Sequence, residues 1–142
     1  MAQTNVFILI LVICLVLIAA YHLSSKTYVS DDHPILDQVR KNFSMIDPDY
    51  VNIPLKEGTS AYTENKAAIF LCLKDPNNQQ YYDFNTIMYV ALHELAHIVS
   101  KTQGHNDEFK ENFSNILKKG SQIGIYDPSK TISSTYCGTE SD

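Results

Sequence analysis

Two histidines four positions apart with a glutamate between them, His93-Glu94-Leu95-Ala96-His97, followed by Gly104-His105-Asn106, are the residues whose types and spacing can do chemistry. On a helix, the two imidazoles project from one face and can share a metal ion, with Glu94 close beside it. That is the arrangement of a zinc hydrolase. With five histidines in 142 residues, a His-Glu-x-x-His would arise by chance in under roughly one such chain in a hundred.

Catalytic zinc takes three protein ligands and keeps one position open, whereas a structural site is closed by four. His93 and His97 supply two ligands. His105 is expected to be the third, because Gly104 lets the chain turn sharply off the helix and bring an imidazole back. Glu108 and Glu111 are the acidic alternatives, and both fit equally well as charges in the first turn of the next helix. Glu94 is placed to act as general base on a zinc-bound water, whose pKa falls to about 7, and to hand the proton to a leaving amine. Peptide-bond hydrolysis is the reaction class implied. Tyr126 and Tyr136 can be considered as donors to a developing oxyanion, although in a chain with nine tyrosines each also reads as structural.

These residues need a rigid helix to position them. Asp83 can cap one that runs through Ile87, Met88, Val90, Ala91, Leu92, Leu95, Ala96, Ile98 and Val99 to about Lys101, with apolar residues on most faces, as expected of a buried central helix. Gly104 breaks it. Asn106 or Asp107 can cap the next helix, whose Phe109, Phe113, Ile116 and Leu117 form an amphipathic stripe ending at Gly120. Upstream, Pro34 fits the first turn of a helix carrying Ile35, Leu36, Val39, Phe43 and Ile46, ended by Asp47-Pro48-Asp49. Val51 to Leu55 alternates like a short strand, and Ala67 to Leu73 is the best strand, bounded by Asp75-Pro76-Asn77-Asn78. That strand is expected either to lie at an edge beside the metal helix, where it could pair with an extended peptide, or to be a plain core strand.

At the N-terminus, Val6 to Leu23 reads VFILILVICLVLIAAYHL, long enough at 1.5 Å per residue to nearly span a hydrocarbon core. No Lys or Arg precedes it, so a transmembrane anchor is favoured over a cleaved signal. The expected division is an anchor over residues 1–25, a linker over 26–33 and one domain over 34–142. Lys26, Arg40 and Lys41 follow the apolar run, which places the domain on the cytoplasmic or virion-interior side. The net charge of −5 and the absence of any Lys/Arg-rich run offer no electrostatic footprint for nucleic acid. Three cysteines without a Cys-x-x-Cys pair argue against a disulfide framework and a cysteine-built zinc site. Cys14 reads as a small buried hydrophobe, and a Cys72–Cys137 bond would require an oxidising compartment.

The metzincin spacing is not met, since its third histidine comes two residues earlier and a glycine would stand at Ser100. HELAH, six further residues and GHNDEF instead resemble the WLM and SprT-like zinc metallopeptidases, with His93, Glu94, His97, His105 and Phe109 matching position for position. TENKAAIFLCLKD, YYDFNTIMYVALHELAHI and the closing GIYDP and YCG are similar to WLM-type proteins of large DNA viruses, including small membrane-anchored forms. The resemblance spans roughly Asp32 to the C-terminus. It implies an α+β, minimal zincin-like fold, a small sheet with the active-site helix beneath it and C-terminal helices, and zinc-dependent cleavage of protein substrates. Cellular members act on DNA-crosslinked or SUMO- and ubiquitin-linked proteins; this chain has no basic patch. The competing reading is a non-catalytic membrane or virion protein in which zinc, held by a fourth protein ligand, only stabilises a small binding domain.

Overall fold

The computed structural model describes residues 2–24, 27–137 and 139–140. Lys26, one of the charges read for orientation, lies outside the described residues. A first helix, α1 (Ala2–Ser24), precedes α2 (Pro34–Ile46), a 3-10 turn (Pro48–Asn52), strands β1 (Leu55–Glu57), β2 (Tyr62–Glu64) and β3 (Ala68–Leu71), helices α3 (Phe84–Val99) and α4 (Asp107–Gln122), and the short pair β4 (Thr135–Tyr136) and β5 (Thr139–Glu140). The class is α+β, as expected.

The local signals behave as their chemistry dictates. Pro34 opens α2, and the His33 ring accepts the Ile35 amide in place of the missing upstream carbonyl. The Asp83 carboxylate accepts the Thr86 amide at 3.0 Å to cap α3, and the Asn106 side chain accepts the Phe109 amide at 3.0 Å to cap α4. Leu36, Val39 and Phe43 of α2, Leu55 and Ile69 of the sheet, and Ile87, Met88, Leu92 and Leu95 of α3 are all fully buried. They form one core between sheet and helices. Burial of each such side chain contributes about 1.5–3 kcal/mol.

Strand order decides between the two readings of the best strand. The sheet runs β1-β3-β2, with β1 parallel and β2 antiparallel to β3. The best sequence strand is therefore central rather than an edge, because Ala68, Ile69 and Leu71 are too apolar to leave unpaired and are fully buried. The alternation read at Val51 to Leu55 is broken: Val51 and Asn52 belong to the 3-10 turn, and the strand starts only at Leu55.

The two edges of the sheet differ. On β1, Asp31 donates its amide to the Leu55 carbonyl at 2.9 Å, and Ser30 Oγ accepts the Leu55 amide at 3.1 Å. The Asp31 carboxylate also accepts the Glu57 amide and pairs with Lys56 Nζ, each at 2.8 Å, and these hydrogen bonds hold its pKa below the usual carboxylate value. Ser30 and Asp31, read as linker, thus cover this edge. The outer edge of β2 borders the cleft described below.

Helix α1 makes no packing contact with another element among the described residues. Its described apolar side chains, within residues 6–21, are between 49% and 77% exposed. Cys14 is exposed among them rather than buried, since among the described residues no other element packs on that helix. Among the described residues no helix is long and apolar enough to cross a membrane. Cys72 and Cys137 are joined by a disulfide, with Cα atoms 6.2 Å apart.

Candidate functional site

Helix α3 carries His93 and His97 on a half-buried flank and Glu94 a hundred degrees round, toward the sheet. The loop after α3 returns His105 to the same point. Gly104 has φ +80 and no atom within 4 Å of where a Cβ would sit, so backbone conformation rather than space demands the glycine. His105 Nε2 lies 3.1 Å from Nε2 of His93 and 3.1 Å from Nε2 of His97.

Three neutral imidazoles carry one N–H each, so three Nε2 atoms converging on one point are poorly satisfied by one another. Two nitrogens on a tetrahedral zinc at about 2.0–2.1 Å would stand about 3.3 Å apart, close to the spacing found. The donor set fits the ion. Among the described residues the His/Cys/Asp/Glu group that could hold a metal comprises His93, His97 and His105, with no fourth member. Burial and the neighbouring His105 push the His97 pKa down, which favours the neutral imidazole that a metal requires.

Phe109 holds the three rings together. It is 3% exposed, and its ring centroid lies 4.3 Å from that of His97, 4.7 Å from His105 and 4.9 Å from His93. The aromatic four residues beyond His105 is thus the floor under the triad.

Glu94 is 6% exposed. Desolvation raises its pKa to about 7, against the lowering effect of a hydrogen bond from Thr63. Thr63 Oγ1 sits 2.9 Å from Glu94 Oε2 and 3.0 Å from the Glu94 carbonyl oxygen. The register explains the reach: Thr63 pairs with Ile69 and so shares the face turned to α3, whereas Tyr62 pairs with Phe70 on the outer face and stacks on it at 4.5 Å. No sequence signal marked Thr63, which lies 31 positions from its partner.

A cleft of about 480 Å³ opens over these groups, walled by the β2 edge at Ala61 and Tyr62, by Tyr89 and Val90, and by Tyr136. Tyr136 is among the lining residues, but its hydroxyl donates to the Cys72 carbonyl. Tyr126 is not in the cleft wall; it packs near the ring of Tyr89. Glu108 is turned away from the triad, accepting the Lys101 amide at 2.9 Å, the Thr102 amide at 3.1 Å and the Thr102 hydroxyl at 2.6 Å. Those hydrogen bonds, the hydroxyl first, hold its pKa down at about 2. Glu111 is likewise absent from the group.

The sequence profile of the WLM domain matches residues 62–136, which contain the three histidines, Glu94, Thr63 and Phe109. The chain belongs to the WLM family. Its relatives include viral proteins: the WLM chain is 40% identical over 87 residues to the uncharacterized protein 136R of Invertebrate iridescent virus 6, covering 60% of this chain and 49% of that protein. It is 41% identical over 86 residues to the uncharacterized protein 042R of Invertebrate iridescent virus 3, covering 61% and 54%. The chain therefore spans about half the length of the curated relatives it matches. In fold, this WLM domain is similar to Wss1 from Saccharomyces cerevisiae, with a TM-score of 0.57, 18% identity and coverage of 64% of this chain and 77% of that one. A Wss1 variant from S. pombe gives a TM-score of 0.52 at 22% identity, covering 66% and 94%. Membership of the WLM family and a Wss1-like fold are thereby established.

His105→Ala is expected to weaken zinc binding by about 100-fold, at the upper end of what losing even an indirect partner costs. A competitive chelator titration measures it, and full, tight occupancy in the variant would place the third ligand elsewhere.

Proposed function

We propose that this WLM protein is a membrane-anchored, zinc-dependent metalloprotease that hydrolyses peptide bonds of protein substrates. One observation carries the reading: three imidazole nitrogens converge beside a buried carboxylate, at a cleft bordered by the edge strand β2. His93, His97 and His105 would hold the metal, which when bound supplies Lewis-acid polarisation and lowers the pKa of water. Glu94 takes the proton of the attacking water and returns it to the leaving amine, and Thr63 orients its carboxylate. The β2 edge offers backbone groups to an extended peptide, placing a scissile carbonyl over the triad. A closed structural site would call for a fourth ligand; the three-histidine group supports the catalytic reading over the zinc-stabilised binding protein.

Zinc analysis of the full chain in detergent tests this, together with cleavage of an unfolded protein substrate. One zinc per chain and hydrolysis abolished by chelator are expected; zinc bound without any chelator-sensitive hydrolysis would favour the non-catalytic reading.

Attachment to the membrane rests on α1. Its backbone runs 23 residues, about 34 Å at 1.5 Å per residue, and the apolar run from Val6 to Leu23 lies within it. We expect the protein to stay in the pellet after alkaline extraction of membranes; release into the supernatant would sink the anchor. Two signals bear on its orientation. Lys26, Arg40 and Lys41 point the domain to the cytoplasmic or virion-interior side, whereas the Cys72–Cys137 bond suits an oxidising milieu. Protease protection of sealed vesicles decides between them.

A further inference from the structure

The loop that returns His105 to the triad is gripped from opposite sides by two charged residues that are not themselves ligands. Its carbonyls face Lys66: the ammonium donates to the Ser100 carbonyl and, at 2.8 Å, to the Thr102 carbonyl. Its amides face Glu108, which accepts from Lys101, Thr102 and the Thr102 hydroxyl. Between these grips Asn106 Nδ2 donates to Thr102 Oγ1 at 2.5 Å. Cation on carbonyls and anion on amides is the pairing that a peptide's own dipoles favour.

Lys66 holds its place at a backbone cost. Asn65 and Lys66 both have φ 53 at the centre of the turn in the three-residue connection between β2 and β3, closed by the Ala67 amide on the Glu64 carbonyl at 2.9 Å. Asparagine tolerates that conformation; the second position favours glycine, and a lysine there is strained. The side chain is what glycine would lack. It ties the hairpin that carries Thr63 to the loop that carries His105.

We propose that Lys66 and Glu108 are positioning residues that set the metal affinity of the site by fixing the His105 loop. The inference rests on reading the triad as a metal centre. His105 is exposed on a loop without regular structure, so its imidazole reaches the other two only while the loop is held. A site competent for a fraction of the time binds with its affinity reduced by that fraction.

Lys66→Gly isolates the ammonium, because glycine suits φ 53 and keeps the turn. Glu108→Gln keeps the side-chain shape and removes the charge. Zinc affinity is measured by competition with a chromophoric chelator, and the spectrum of bound cobalt reports whether the third imidazole still coordinates. Thermal melting of the metal-free proteins is recorded alongside. Each variant is expected to bind zinc about 10- to 100-fold more weakly with an altered cobalt spectrum, while metal-free Lys66→Gly melts no lower than the unmodified chain. Lys66→Arg should restore most of the affinity. Unchanged affinity and spectrum in both variants, with the unmodified chain binding one zinc, would overturn the clamp alone. Failure of the unmodified chain to bind zinc or cobalt would overturn the metal centre and the clamp with it.

Discussion

Glu94→Gln is expected to retain zinc and lose roughly 10²- to 10⁴-fold in peptide hydrolysis, the range associated with a general base. Glutamine keeps the length and shape of the side chain, and its carbonyl oxygen can still accept the Thr63 hydroxyl that lies 2.9 Å from Glu94 Oε2. It cannot take a proton. The native carboxyl is 6% exposed, and burial brings its pKa to about 7, a value suited to accepting and releasing a proton near neutrality. Because Glu94 stands outside the histidine group, zinc occupancy should not change. Hydrolysis at the unmodified rate with equal zinc content would reject the assigned role.

Loss of the Cys72–Cys137 bond should destabilise the domain by about 4 kcal/mol, roughly a 10³-fold change in the folding equilibrium, from the chain-entropy cost of a loop of this size. The two cysteines are 65 positions apart, so the bond closes nearly the whole WLM segment into one ring. It joins the exit of β3 to the tail, beside the Tyr136 hydroxyl on the Cys72 carbonyl and the Cys137 amide donated to the Tyr82 hydroxyl at 2.7 Å. Cys137 itself has φ 53, a conformation that a non-glycine residue keeps only when its surroundings hold it. Denaturant midpoints of the oxidised protein and of a Cys72→Ala/Cys137→Ala variant measure the difference. Thiol titration of the unreduced chain should find one reactive group, Cys14, and three after reduction. Coincident midpoints, or three thiols without reductant, would remove the bond from the account.

Much of the site was legible because its strongest signals are local. The spacing of His93, Glu94 and His97 needs only a helix, and Asp83, with the apolar periodicity behind it, supplies one. Gly104 marks the turn, and Asn106 caps the helix that brings Phe109 under the rings. Pro34 and Asp47 bounded α2 for the same reason: capping and proline geometry act over three or four residues. Their effect does not depend on what packs later.

Long-range pairing was legible only after folding. Ala67 to Leu73 reads as a strand, but whether it sits at an edge depends on which neighbours take its hydrogen bonds, and Leu55–Glu57 and Tyr62–Glu64 have too little pattern to announce themselves. Glu108 carries the same charge whether it binds a metal, caps a dipole or braces a loop. The joining of Cys72 to Cys137 likewise required the tail to cross to the end of β3. The sequence by itself therefore determined the chemistry on offer, three imidazoles and a carboxylate at helical and post-helical spacing. Tertiary structure alone decided that β2 is the edge strand at the cleft, that Thr63 faces Glu94, and that Lys66 and Glu108 meet the His105 loop, since each joins groups whose meeting depends on register and packing.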